Sequence, residues 1–383
     1  MTQRERLLKT LKGEKTDRMP ISPFIYNNFI FEYFDVRPRS MGDFLYPKDF
    51  DIDQKTIEVH DAMGFDAMHR VCSIWDYLAE RPGEKWDVAV TEENTREKAR
   101  QVTAVRTPER TLRQVKEIKQ SSAYTFVEAI TEYFIKEKED FEQFVKYQPK
   151  EIVLDCGRIT RTKKLLGDKG VVADCAHGAF NTLNMYRRLD DMMVDPYVDE
   201  VLYREMMSYF TRRAAMLLVQ TVQAGADVVN PAVNMATGSA VGPQFFEKYV
   251  LEYEKELNAA LKNAGALILN HNCGDAKSLF EVYRQLPMDA YESLTPPPFG
   301  DTELEEAFSA FKQEVTLSGN VDQVEFMVKA KPDEVYERVK DVVLKGKARG
   351  NFILSTSDWF FDGTPRENIR AFVQAGVDYG SYN

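Results

Sequence analysis

An eight-stranded (β/α)8 TIM barrel, with an antiparallel insertion between its second and third strands, is the fold this sequence predicts. Three observations lead there. Short apolar runs alternate with longer amphipathic ones along the 383 residues, which is the pattern of βα units. Eight such apolar runs occur. Several of them end in polar residues (Asn230, Asn270-His271, Asn320, Ser355) at the point where a loop should begin, and the C-terminal strand ends of such barrels carry the chemistry.

The expected strands are residues 18–25, 64–72, 170–177, 226–231, 266–271, 289–294, 315–320 and 351–355. Between them lie helices with readable ends. Thr2-Gln3-Arg4-Glu5 fits a capping box ahead of Leu7, Leu8 and Leu11. Residues 197–224 hold helical periodicity without Pro or Gly. Thr364-Pro365-Arg366-Glu367 offers an N-cap, a first-turn proline and a third-position glutamate, with Gly376 as the expected stop. Residues 82–150 break the rhythm. Their short runs, such as 86–90, 101–105 and 124–127, read as antiparallel strands that either cover the barrel mouth or merely elaborate the surface. The whole chain, 1–383, is read as one domain.

Composition narrows the partners. Hydrophobic residues make up 44% and charged residues 29%, enough for a substantial core. The formal net charge of −11 and the lack of a basic stripe argue against nucleic acid and against anionic membranes. No apolar run reaches the roughly 18–20 residues of a membrane span. The first residues lack the apolar core of a signal peptide, so a cytoplasmic protein is expected. Four dispersed cysteines, Cys72, Cys156, Cys175 and Cys273, suit core filling or thiolate chemistry better than a disulfide framework.

The strongest local signal is Asn270-His271-Asn272-Cys273-Gly274, which closes an apolar run. His271 and Cys273 lie two apart at a strand end, so their side chains share a direction. Gly274 then allows a turn. Imidazole with thiolate suits zinc. A third ligand must come from another strand end: Asp358 after the eighth run, or Glu292 on the sixth. His60 reads as a surface residue. His69 and His177 close strands, as satisfied buried histidines or as pocket residues. Phe24, Tyr26, Trp359 and Phe360 would stand near the mouth, as core or as walls for a flat substrate.

Arg4-Glu5-Arg6, Asp17-Arg18-Met19-Pro20, Gly225-Ala226-Asp227, Gly242-Pro243-Gln244-Phe245-Phe246-Glu247, His271-Asn272-Cys273-Gly274 and Gly319-Asn320-Val321-Asp322 follow in order. Thr364-Pro365-Arg366-Glu367-Asn368-Ile369 completes the series. In this order the chain resembles the uroporphyrinogen decarboxylase-like superfamily over nearly its whole length. Segments 20–27 and 230–234 lack the arginine-rich motif and the aspartate that decarboxylases of the family resemble one another in. The His-x-Cys motif instead resembles the cobalamin-dependent zinc methyltransferase and O-demethylase branch. Asp358 stands where that branch has a second Cys, and a carboxylate makes zinc harder.

The resemblance therefore implies a zinc enzyme with His271, Cys273 and Asp358 as ligands. It implies Phe24, Tyr26, Asn27, His177, Asn234 and Trp359 as substrate contacts. The expected reaction moves a methyl group between a small methylated substrate, a methoxylated aromatic, and the cobalt of a separate corrinoid protein. No Asp-x-His-x-x-Gly cobalamin motif occurs in the chain, so the corrinoid is expected on a partner. The alternatives are methyl transfer from a methylcorrinoid to a thiol or tetrahydrofolate, a metal-free decarboxylase, and a non-catalytic corrinoid- or aromatic-binding barrel.

Overall fold

The computed structural model describes residues 1–72, 81–94 and 99–382. After β1 (Ala67–Val71) the chain builds a separate antiparallel sheet in the order β2 (Asp87–Asn94), β3 (Ala99–Arg106), β4 (Thr111–Gln120) and β5 (Phe126–Glu132). It then returns to a parallel sheet with β6 (Gly170–His177), β7 (Val228–Ala232), β8 (Leu267–His271), β9 (Ala290–Ser293), β10 (Thr316–Val321) and β11 (Phe352–Thr356). The parallel order is β1-β6-β7-β8-β9-β10-β11. Each new strand is thus added beside the last, with helices in the crossovers.

Seven of the eight expected strands form, and the first does not. Residues 18–25 contain Pro20 and Pro23, whose missing N–H groups interrupt a ladder. What remains towards the parallel sheet is a single bridge, Ile21 to Leu354. Ser22 N donates to Leu354 O and Leu354 N to Pro20 O, each at 2.9 Å, while on the other side Asp66 N donates to Ile21 O at 2.8 Å. The parallel sheet is therefore a curled half-barrel whose two edges are linked by a short extended segment, not by an eighth strand.

The curl follows from what fills it. Met68, Val171, Ala173, Val228, Leu269, Ala290 and Ile353, drawn from six strands, pack in one buried cluster with Leu7 and Leu11. Those two leucines belong to the helix Gln3–Leu11, whose capping box is formed by Thr2 and Glu5 as the sequence predicts. The helix plugs one end of the sheet and makes an apolar floor.

Three further expectations are corrected. The long helix expected at 197–224 starts three residues later, as Glu200–Gln223, and a separate helix, Leu189–Val198, precedes it. The break is at Asp199, whose side chain accepts from Leu202 N and starts the second one afresh. The last helix, Arg366–Tyr379, takes Pro365 rather than Thr364 as its N-cap. Gly376 does not end that helix but lies inside it, where a Cβ would come within 2.8 Å of Ile21 Cδ1 and Leu354 Cδ2. The glycine is there for close approach, so the helix can lie directly over the linking segment.

The antiparallel sheet occupies the predicted insertion, of which residues 95–98 lie outside the described residues. Its base is held by Trp86, fully buried and 4.9 Å from the ring of Phe144 on the helix Lys138–Tyr147. Among the described residues no helix is long and apolar enough to cross a membrane. Gly376→Val should force two branched methyls into the contact with Ile21 and Leu354. The expected loss is about 1–3 kcal/mol, read as a lower urea midpoint with an unchanged slope.

Candidate metal centre

Strand alternation builds the site directly above the floor. Two residues on from Met68, Ala173, Val228, Leu269, Ala290 and Ile353, on the same face, stand Arg70, Cys175, Asn230, His271, Glu292 and Ser355. A polar layer thus replaces the apolar one at a single step along the strands. Its centre is a buried ion pair. Arg70 donates to Glu292 Oε1 at 2.9 Å and Oε2 at 2.6 Å, and to Asn230 Oδ1 at 2.7 Å. Glu292 Oε1 also lies 2.9 Å from His271 Nδ1, with Ser293 Oγ at 3.3 Å from the same nitrogen. The Arg70 guanidinium sits 3.8 Å above the centre of the Phe24 ring.

Beyond this layer His271, Cys273 and Asp358 come together, each offering one ligand atom, all within 4.8 Å of one another. His271 and Asp358 are buried and Cys273 is half-buried. With Nδ1 engaged by Glu292, Nε2 is the imidazole nitrogen left for a ligand. Asn234 Nδ2 lies 3.8 Å from Cys273 Sγ, a weak N–H to sulfur contact, and its own oxygen accepts from Asn181 at 2.6 Å. Asp358 Oδ1 accepts from Trp359 N at 2.8 Å. Imidazole, thiolate and carboxylate in one cluster are a donor set that fits zinc.

Protonation follows from burial and neighbours. Burial alone would raise the Glu292 carboxyl, but the Arg70 charge and His271 outweigh it and hold Glu292 at about 2. Burial opposes a charge on His271, yet Cys273 and Glu292 together raise it well above an ordinary imidazole. Asp358 is raised, mainly by burial.

Of the two candidate third ligands, Asp358 joins the cluster, whereas the Glu292 carboxylate is committed to Arg70 and His271. Phe24 meets the His271 ring edge-on at 6.2 Å and Trp359 at 5.9 Å, and Tyr26 lies 5.4 Å from Trp359, so these three form one aromatic wall. His177 pairs in register with Ala232 on β7, which pairs with His271, so it stands at the same level two strands away. Asn27 is drawn off instead, donating to Phe44 O at 2.7 Å. Asn234 holds the sulfur rather than open space.

Phe360 is fully buried against Phe29 and belongs to the core. His60, expected at the surface, is buried beside Phe65 and His69, and burial pushes its imidazole down to about 3. His69 points to the opposite face of β1 from Arg70, where Nε2 bonds Asp53 Oδ1 at 2.9 Å. Gly274 is needed for space, since a Cβ would meet Thr237 Cγ2 at 2.8 Å.

Two groups escaped the sequence reading. Arg70 carries a visible signal, a charge inside an apolar strand, which is rare without a buried partner. Asp362 carries none. Its carboxylate accepts from Asn28 Nδ2 at 2.7 Å, from Thr125 Oγ1 at 2.8 Å and from Ser122 Oγ. Ser122 and Thr125 form the turn between β4 and β5 of the antiparallel sheet. The insertion is therefore fastened to the loop that carries Asp358 and Trp359, and is more than surface elaboration.

The chain belongs to the uroporphyrinogen decarboxylase (URO-D) family, whose model matches residues 124–379. Curated relatives include a methylated-thiol–coenzyme M methyltransferase of Methanosarcina mazei, 25% identical over 39% of this chain and 38% of that one. A uroporphyrinogen decarboxylase of Prochlorococcus marinus is 25% identical over 60% and 64%. The methylcobamide:CoM methyltransferase MtbA of Methanosarcina acetivorans is 24% identical over 41% and 44%. The chain thus spans less than two thirds of the length of these relatives. A solved methyltransferase from Methanosarcina mazei superposes with a TM-score of 0.74 at 15% identity, covering 99% of both chains, and shares the fold.

Removing Arg70 leaves the Glu292 charge buried with only His271 beside it. Arg70→Met should cost about 3–5 kcal/mol, whereas Arg70→Met with Glu292→Gln should recover part of this in urea unfolding. Because Glu292 is held at about 2, below its ordinary 4.5, its contribution is complete above pH 4.5 and lost as pH falls towards 2. Glu292→Gln should flatten the acid limb of stability against pH in that window.

Proposed function

We propose that this chain is a cytoplasmic zinc methyltransferase, moving a methyl group between a methoxylated aromatic and the cobalt of a separate corrinoid protein. The observation that carries this reading is the convergence of His271, Cys273 and Asp358 above an aromatic wall. Bound zinc supplies a Lewis acid that draws charge from the ether oxygen and so eases departure of the phenolate.

The chain's own residues do the rest. His271 presents Nε2, because Glu292 and Arg70 fix the ring through Nδ1. Cys273 presents its sulfur, steadied by the Asn234 amide. Asp358 replaces a second thiolate with a carboxylate, which donates less charge and favours an oxygen-containing substrate over a thiol. Phe24, Tyr26 and Trp359 provide flat apolar surface for a ring. The relatives support a corrinoid partner, since MtbA is named for a methylcobamide substrate. A thiol acceptor, as in the coenzyme M relatives, is the second reading.

Elemental analysis should find about one zinc per chain in wild type and at least tenfold less in Cys273→Ala. Glu292→Gln should keep the three ligands but weaken zinc binding by about 10- to 100-fold. With zinc, a reduced corrinoid protein and a methoxyarene, phenol should be released by wild type and not by Asp358→Ala. Wild type that takes up no zinc when supplied with it would remove the proposal. Zinc-loaded protein that methylates a thiol but leaves methoxyarenes untouched would favour the second reading.

A further inference from the structure

Cys72 and Cys175 take no part in the metal cluster, yet they are placed against each other. Val71 pairs with Asp174 in the β1–β6 register, so Cys72 and Cys175 are the next residues along two adjacent strands. Both side chains lie on the inner face, following Arg70 and Ala173 at the strand spacing of two. They form one small cluster with Phe24, flanked by Tyr26 and Trp359. Cys175 Sγ is placed to donate to Asn230 Oδ1 at 3.6 Å. Neighbouring strands run about 4.8 Å apart, inside the roughly 4.4–6.8 Å Cα separation that a disulfide spans.

We propose that Cys72 and Cys175 are an oxidisable dithiol that closes to an intramolecular disulfide when the protein meets hydrogen peroxide or a small hydroperoxide. The pair is unequal in the way such chemistry requires. Contact with Cys72 and the charge of Arg70, which shares Asn230 Oδ1 with Cys175, favour the thiolate of Cys175, so it is lowered. Contact with Cys175 and burial raise Cys72. Cys175 is thus the attacking sulfur and Cys72 the resolving one. A cavity of about 10 Å³, the size of one water, opens on the Cys72 side of the pair, bordered by Tyr26, Arg70, Cys72 and Arg158.

The chemistry balances in two steps. The Cys175 thiolate attacks one peroxide oxygen, the O–O bond breaks, and the departing hydroxide takes up a proton to become water. The Cys72 sulfur then attacks the resulting sulfenic acid, forming the S–S bond, and the hydroxyl leaves as a second water with the Cys72 proton. Two thiols are oxidised and one peroxide is reduced. The bond would tie β1 to β6 beside Phe24, at the edge of the aromatic wall.

The test treats the full chain with graded hydrogen peroxide, blocks remaining thiols under denaturing conditions, and maps the peptides by mass spectrometry. A peptide joining Cys72 to Cys175 should accumulate and vanish on treatment with dithiothreitol. In Cys72→Ser the sulfenic acid should persist on Cys175 and be captured by dimedone. Both cysteines still fully alkylatable after peroxide has oxidised Cys156 or Cys273 would overturn the proposal. So would a disulfide from either of the pair to Cys273, or dimedone failing to label Cys175 in the variant. The wild-type mapping stands on its own should the variant not fold.

Discussion

The buried contact of Arg70 with Glu292 is the constraint from which the rest of the site follows. Neither charge tolerates the interior alone, and the pair is stable only because Asn230 and His271 complete its hydrogen bonds. Such a pair is weak evidence for added stability; its value here is in what it fixes. Glu292 selects the face that the His271 imidazole turns to the cluster. Arg70, lying over Phe24, couples the ionic layer to the aromatic wall. Below sits a floor that only apolar residues occupy, and above stand the three candidate ligands. One step of two residues along each strand separates these layers.

Much of the architecture was legible because strand period and helix capping are local. The run 170–177 coincides with β6, and the capping box at Thr2 is formed. His271 and Cys273 were legible for the same reason, since two residues on one strand end need no partner to share a direction. The failures around the site are long-range. The pairing of Arg70 with Glu292 joins β1 to β9, strands separated in the sheet by three others. They meet only because the floor cluster curls the sheet. Gly376 looked like a helix stop because the sequence does not show that Ile21 and Leu354 press against it. His60 looked exposed because its neighbours are polar, while its helix turns it towards Phe65.

Asp358 marks the boundary between the two kinds of inference. A carboxylate after an apolar run could also have been a turn residue; its place at a strand end made it one of two candidates, and the family resemblance then favoured it. Its geometry depends on a device that no motif announces, the bonding of Asp362 to the β4–β5 turn. The antiparallel sheet thereby reaches across from the β1 side of the fold to the loop after β11. Those are the two edges that residues 20–22 link only weakly.

A half-barrel with a short extended link in place of an eighth strand has an evident weak seam between β1 and β11. Two of the three candidate ligands stand at the end of β8, well away from that seam: His271 on the strand, between ladders on both sides, and Cys273 just past it. The third stands beside the seam. If the loop after β11 shifted, Asp358 would leave the cluster while His271 and Cys273 stayed. Three devices act on this seam: Gly376 lets a helix lie over the link, Asp66 bonds both the backbone and side chains at its outer edge, and Asp362 fastens the loop to the insertion. A metal site that takes its last ligand from the least paired edge of a sheet needs that edge secured from outside, and the insertion is placed to do so.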